Sequence, residues 1–234
     1  MTYTPTSLML IVFYITILIF YTISLIYAAR LSKLMEDLKE VPQFFKERAS
    51  FIFGFFTVWN LILQMVFLAV AITNEALKGF SVKSYIGNIR KTLFVSLMLP
   101  SSLLVASMFW GIWMIDRELI YPKVIDEFYP SWLNHAMHTF IVLPVFIELW
   151  LQSGGPLLKP SIKNRAFAIL VTYCFIYQVM YFCIYFFHGI WLYPIYLVLS
   201  WPQRMVFVTF QFALLVVYHK LGIAFLSMRE IKTN

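Results

Sequence analysis

Charge is what this sequence has least of. Asp, Glu, Lys and Arg make up 12% of its 234 residues, against roughly a quarter in soluble domains, and so few ions cannot clothe a water-facing surface. Cysteine is almost missing: Cys174 and Cys183 are the only two. They fall on opposite faces of one expected helix, which excludes a local bridge and a disulfide framework. No Lys or Arg precedes Arg30, and the first apolar run is too long for a signal-peptide core. That segment is expected to remain as a helix. Internal repeats and low-complexity tracts are also missing, which speaks against a transporter built from inverted halves. The formal net charge of +7 is scattered over short connecting segments, where Lys and Arg meet lipid headgroups. Nucleic acid is excluded as a partner.

What is present is apolar. Hydrophobic residues account for 62% of the chain and the mean hydropathy is +0.81. A bilayer core needs about 20 apolar residues per helix, and six runs qualify: 8–29, 51–73, 93–115, 132–151, 166–187 and 205–226. The expected fold is all-α, one integral membrane bundle of six transmembrane helices over residues 1–234. Both termini then share a side, and the slight lean of Lys and Arg towards that side makes it the cytoplasmic one. Residues 30–50, with mixed charge and Pro42, are expected as an interfacial helix or linker. The stretch 189–202, broken by Pro194 and Pro202, is too short to cross and is expected to lie in the interface or dip back. Trp191 and Tyr193 read there as interface anchors.

The polar residues collect at one mouth of this bundle. The second, fourth and sixth spans all enter from the face opposite the termini. Thr57 and His138 each lie six positions past the expected starts at 51 and 132, a shared depth of ~9 Å. Asp116, Arg117, Glu118, His188 and Arg204 close or open spans at that same mouth. Thr57, Asn60 and Gln64 form a stripe on one helix face, which should face the interior. His135 and His138 are neighbours at i, i+3, and Asn134 precedes His138 by one turn.

A threonine hydroxyl attacks a carbonyl only if an adjacent base takes its proton, and a neutral imidazole near pH 7 suits that task. The pattern therefore points to Thr57 as nucleophile and His138 as base. Asn60, Asn134 and Arg204 are candidate oxyanion donors, and His135 a support for geometry or substrate. Glu148 lies ~15 Å further along the fourth span, so a dyad is expected. Plainer readings exist: Thr57 bonded back to its own helix, Asp116 and Arg117 as an interfacial ion pair, His219 and Lys220 snorkelling. His135, His138 and His188 as metal ligands are a weak pattern without a carboxylate; no metal or cofactor is expected. A lipid-binding or transport protein would use the same mouth without chemistry.

Five blocks carry a resemblance: DRELIYPK at 116–123, WLNHAMHT at 132–139, FFTVWNLILQ around Thr57, Pro100 inside the third span, and WLYP at 191–194. In order and spacing they resemble the androgen-induced-gene family of multipass membrane threonine hydrolases, over most of the chain. The resemblance implies cleavage of fatty acid esters of hydroxy fatty acids, with Thr57 as nucleophile and His138 as base, in the endoplasmic reticulum or plasma membrane. Its lipid substrate and the bilayer would be the partners.

Overall fold

Helices are the only regular structure in the computed structural model, which describes residues 5–77, 80, 82–152 and 160–230. In chain order they are α1 (Pro5–Asp37), α2 (Gln43–Ala49), α3 (Phe56–Ala76), α4 (Lys83–Leu93), α5 (Leu99–Asp116), α6 (Ser131–His138), α7 (Val142–Gln152), α8 (Pro160–His188), α9 (Ile195–Val198) and α10 (Trp201–Glu230). Among the described residues five stretches are long and apolar enough to cross a bilayer: Ser7–Asp37, Phe56–Ala76, Lys83–Leu119, Ile162–His188 and Trp201–Ser227. Their outer faces expose large apolar side chains such as Met9, Ile23, Met114, Phe175 and Val206. Only lipid makes such surfaces affordable. The all-α, multipass expectation holds.

The expected fourth span is not one helix. Residues 131–152 form α6 and α7 with a break at Thr139, Phe140 and Ile141. Pro144 has no N–H and its ring crowds the carbonyl one turn earlier, that of Phe140. The carbonyls freed at the break find side chains: Tyr21 of α1 donates to Phe140 at 3.2 Å and Gln64 of α3 to Ile141 at 2.8 Å. Backbone polar groups in an apolar medium must be met in this way. The break ends α6 at His138, inside the bundle.

The second span also starts later than expected. Residues 52–54 make a tight 3-10 turn, Phe55 is extended with ψ 132°, and α3 begins at Phe56. Gly54 permits this turn, since a Cβ there would lie 2.8 Å from side-chain carbons of both Ile184 and Leu192. Thr57 is therefore the second residue of its helix rather than the seventh, and His138 the last of its own. Their positions along the helices are not those counted from uncut spans.

Between α4 and α5 the residues Phe94–Met98 widen into a π turn. A π pattern would pair the carbonyl of Val95 with residue 100, which is proline and has no N–H. His219 of α10 supplies it instead, its Nδ1 2.7 Å from that oxygen. His219 is thus buried and structural, not snorkelling. The segment before α10 packs inward: Trp191, Leu192 and Tyr196 are buried with Tyr181 and Ile184 of α8 in a second core cluster. Gly189, at φ +72°, turns the chain back after α8 in a conformation that favours glycine.

Candidate active site

Thr57 and His138 meet. The hydroxyl Oγ1 of Thr57 stands 3.4 Å from Nε2 of His138, although 81 residues separate them in sequence. The other ring nitrogen decides the chemistry of this contact. Nδ1 of His138 lies 2.9 Å from the backbone oxygen of Asn134 and 2.7 Å from its side-chain oxygen. A backbone carbonyl only accepts, so Nδ1 carries the hydrogen and the neutral ring presents a bare lone pair at Nε2. The Thr57 hydroxyl then donates to Nε2. The imidazole is held flat against Phe109, with ring centroids 3.6 Å apart and an interplanar angle of 13°. At 3.4 Å the contact is longer than the 2.6–3.2 Å of a working proton transfer, as free sites commonly are before substrate tightens them.

Both residues lie on the wall of a cavity of about 500 Å³, a volume within the usual range for a small-molecule site. Its lining is mostly apolar and aromatic, with Leu104, Met108, Phe109, Phe207 and Leu215 among the walls. Thr57 itself is only 9% exposed.

The N-terminus of α3 completes the site. Phe55 precedes it without a capping side chain, so its first N–H groups need partners from elsewhere. Tyr193 provides one: its hydroxyl accepts from the N–H of Phe56 at 3.0 Å. Burial pushes the Tyr193 phenol above its ordinary pKa, against the pull of hydrogen-bonding groups on Tyr177, Phe56 and Thr57. It stays protonated beside Thr57. The N–H of Thr57, at the second helical position, points out of the same positive helix end. Tyr193, read in sequence as an interface anchor, bonds the start of α3 in the structure. The signal that could have found it is a helix start without Ser, Thr, Asp or Asn at its cap.

The four supporting candidates fall elsewhere. Asn60 is fully buried behind Thr57, where its side-chain oxygen accepts from Ser102 at 3.0 Å; Gln64 donates to the same Ser102 hydroxyl at 2.8 Å. This stripe joins α3 to α5 and to the break before α7. Asn134 orients His138 instead of facing the cavity. His135 turns to the hydroxyl of Thr139 at 3.0 Å and stacks on Trp110. Arg204 donates to the carbonyl of Tyr196 at 2.9 Å and lies over Trp191 and Trp201, pinning the 189–200 segment. At the rim, Arg117 pairs with Asp126 at 2.8 Å, not with Asp116, whose carboxylate caps the short turn at Glu118. His188 sits against Phe51. Among the described residues no three His, Cys, Asp or Glu side chains converge as metal ligands would.

The description FAR-17a/AIG1-like protein matches this sequence over residues 9–226, nearly its full length. The chain belongs to the FAR-17a/AIG1-like family. The androgen-dependent TFPI-regulating protein of Homo sapiens is 34% identical over 172 residues, 72% of this chain and 73% of that protein. The protein of that name from Mesocricetus auratus is 37% identical over 145 residues, 61% of each chain. The Homo sapiens androgen-induced gene 1 protein is 28% identical over 159 residues, 60% of this chain and 61% of its own. The chain thus spans less than two thirds of the last two relatives. No solved structure matches it. In this FAR-17a/AIG1-like chain the matched residues include both Thr57 and His138.

Proposed function

We propose that this protein is an intramembrane lipid ester hydrolase acting on fatty acid esters of hydroxy fatty acids. The observation that carries this reading is the contact of Thr57 with the bare Nε2 of His138 on the wall of an apolar cavity. A hydroxyl facing a lone pair whose opposite nitrogen is anchored has the nucleophile, base and orienting-group arrangement of acyl-transfer sites. A cavity between lipid-facing helices suits a substrate dissolved in the bilayer.

The reaction follows from these groups. As Thr57 Oγ1 bonds to the ester carbonyl carbon, its proton passes to His138 Nε2, and Asn134 holds the resulting imidazolium through Nδ1. The carbonyl oxygen becomes an oxyanion, met by the N–H of Thr57 and the hydroxyl of Tyr193. Collapse breaks the bond to the alcohol oxygen, which takes the proton from Nε2 and leaves as the hydroxy fatty acid. The acyl group remains on Thr57. Water, deprotonated by His138, then attacks the acyl carbon; the second tetrahedral intermediate releases the fatty acid and returns the proton to Thr57.

The test is turnover of branched lipid esters by purified protein, alongside Thr57→Ala and His138→Ala, with covalent labelling by a fluorophosphonate probe. Loss of both turnover and labelling in both variants is expected. Full activity in Thr57→Ala would exclude the mechanism.

A further inference from the structure

The cavity has a second polar region that ester chemistry leaves unused. Arg48 of α2 is 8% exposed and lines the cavity. Its guanidinium lies over the ring of Phe44, 3.2 Å from the centroid, and one terminal nitrogen donates to the carbonyl of Phe44. Its Nε is buried and, among the described residues, unbonded. Ion pairs among those residues link Arg90 and Arg117 to carboxylates, not Arg48. The neighbouring Glu47 accepts from Gln43, and its charge acts on Arg48 without a direct ion pair among the described residues. Burial lowers the Arg48 pKa to about 10, so the group is still cationic at neutral pH.

Tyr181 of α8 lines the same cavity as Arg48. Tyr181 is 2% exposed, and its hydroxyl has no partner among the described residues. Tyr177, one turn earlier on the same face, directs its hydroxyl to Tyr193, and Nε2 of Gln178 has no partner among the described residues. All four residues line the cavity. A buried cation whose Nε lacks an acceptor, with further donors around it, is costly to leave so. It is the complement of an anion, and Arg with hydroxyl donors suits a carboxylate.

The spacing relates this region to the proposed ester site. Phe56, beside Thr57, packs on Tyr177 with ring centroids 4.7 Å apart, so Tyr177 marks the level of the nucleophile. Tyr181 is one turn further, ~6 Å along α8. Tyr193 spans the two levels: its hydroxyl caps Phe56, and its ring stacks on that of Tyr181 with centroids 6.0 Å apart.

We infer that Arg48 and Tyr181 bind a carboxylate carried by the lipid whose ester is presented to Thr57, and so select acidic over neutral esters. This inference rests on the hydrolase reading for the ester, but the anion site is testable without turnover. The hydroxy-acid half of the proposed substrate keeps a free carboxyl and satisfies it; a triacylglycerol or a methyl ester does not. A phosphate-bearing lipid offers the same charge and must be separated by experiment.

The full chain carrying Thr57→Ala, in lipid nanodiscs, would be titrated with a fluorescent long-chain fatty acid, its methyl ester, and the same chain ending in a phosphate monoester. The acid is expected to bind at least ~10-fold more tightly than the methyl ester, as a charge-assisted contact requires. Adding Arg48→Met should bring the two within about twofold, Arg48→Lys should keep part of the preference, and Tyr181→Phe should weaken it by roughly threefold. Unchanged methyl ester binding in Arg48→Met shows that the cavity is intact; should that variant fail to fold, Arg48→Lys and Tyr181→Phe carry the test. Equal binding of acid and methyl ester, or an unchanged preference in these variants, overturns the inference. Tighter binding of the phosphate ligand overturns the carboxylate assignment. Failure of the wild-type protein to cleave any ester would sink the hydrolase reading and leave the binding preference to be judged by itself.

Discussion

Two groups of buried polar side chains lie at opposite ends of α3, and they are completed to different degrees. At the C-terminal end, Glu148 of α7 is fully buried and takes a forked pair from Arg90 of α4, at 2.7 and 2.8 Å. The same carboxylate accepts from Tyr14 of α1 at 2.8 Å, and Arg90 also reaches Glu75 of α3 at 3.1 Å. Four helices are tied by bonds of ordinary length. At the N-terminal end, Thr57 and His138 make one 3.4 Å contact beside a void, with unspent donors around it. Saturated polar groups in an apolar interior hold helices together. Groups left partly unmet beside a cavity are set for something that arrives.

The contrast predicts that mutations separate cleanly into loss of activity and loss of stability. Thr57→Ala should lower kcat by ~10,000-fold or more, as removal of a nucleophile does, with little change in the melting temperature of the purified protein. A variant that keeps turnover, or one that melts far below wild type, breaks the comparison. Glu148→Ala should do the reverse. Leaving Arg90 buried without its main partner costs about 3–5 kcal/mol, read as a large drop in thermal stability, while protein that remains folded keeps its turnover per active site. If Glu148→Ala melts normally but is inactive, the cluster belongs to the chemistry.

Tyr193→Phe sharpens the distinction at its boundary, because Tyr193 both caps a helix and faces the proposed oxyanion. Loss of an oxyanion donor costs ~100-fold or more in kcat, whereas loss of a cap costs about 1 kcal/mol of stability. A variant with normal kcat and only a lowered melting temperature would leave Tyr193 as a cap and nothing else.

Much of this was legible before any coordinates. Apolar runs of the right length located the five long helices, because a bilayer demands length and hydropathy and little else. The pair Thr57 and His138 was also readable, from residue types and resemblance. The arrangement around the pair was not. Hydropathy is blind to Pro144, whose missing N–H breaks the fourth run, and to the tight turn at Gly54 that delays α3. These two local events put Thr57 at a helix start and His138 at a helix end, and counting positions from uncut helix starts does not describe how the two side chains come into contact. The role of Asn134 also depends on which atoms face Nδ1, which spacing cannot report. Arg90, expected in a connecting segment, is buried within α4 because Glu148 and Glu75 wait there, and no periodicity announces a partner on another helix.

The smallest expected effects concern the two side chains beside the proposed base. Asn134→Ala removes one of two acceptors on Nδ1 of His138 and leaves the other, the backbone oxygen of residue 134, in place. The tautomer therefore survives, and kcat should fall by only ~10-fold, the scale of one lost hydrogen bond to a charged group. Asn134→Asp, which restores an acceptor, should recover most of that loss. His135→Ala should change kcat by less than about twofold, because its ring faces Thr139 and Trp110 and surface-side contacts of this kind carry little energy. Steady-state kinetics of the three variants, with fluorophosphonate labelling to count competent sites, would check the order. A His135→Ala protein more damaged than Asn134→Ala would mean that the base lies on the other histidine, and that the contact between Thr57 and His138 belongs with the structural network at the far end of α3 rather than with the chemistry.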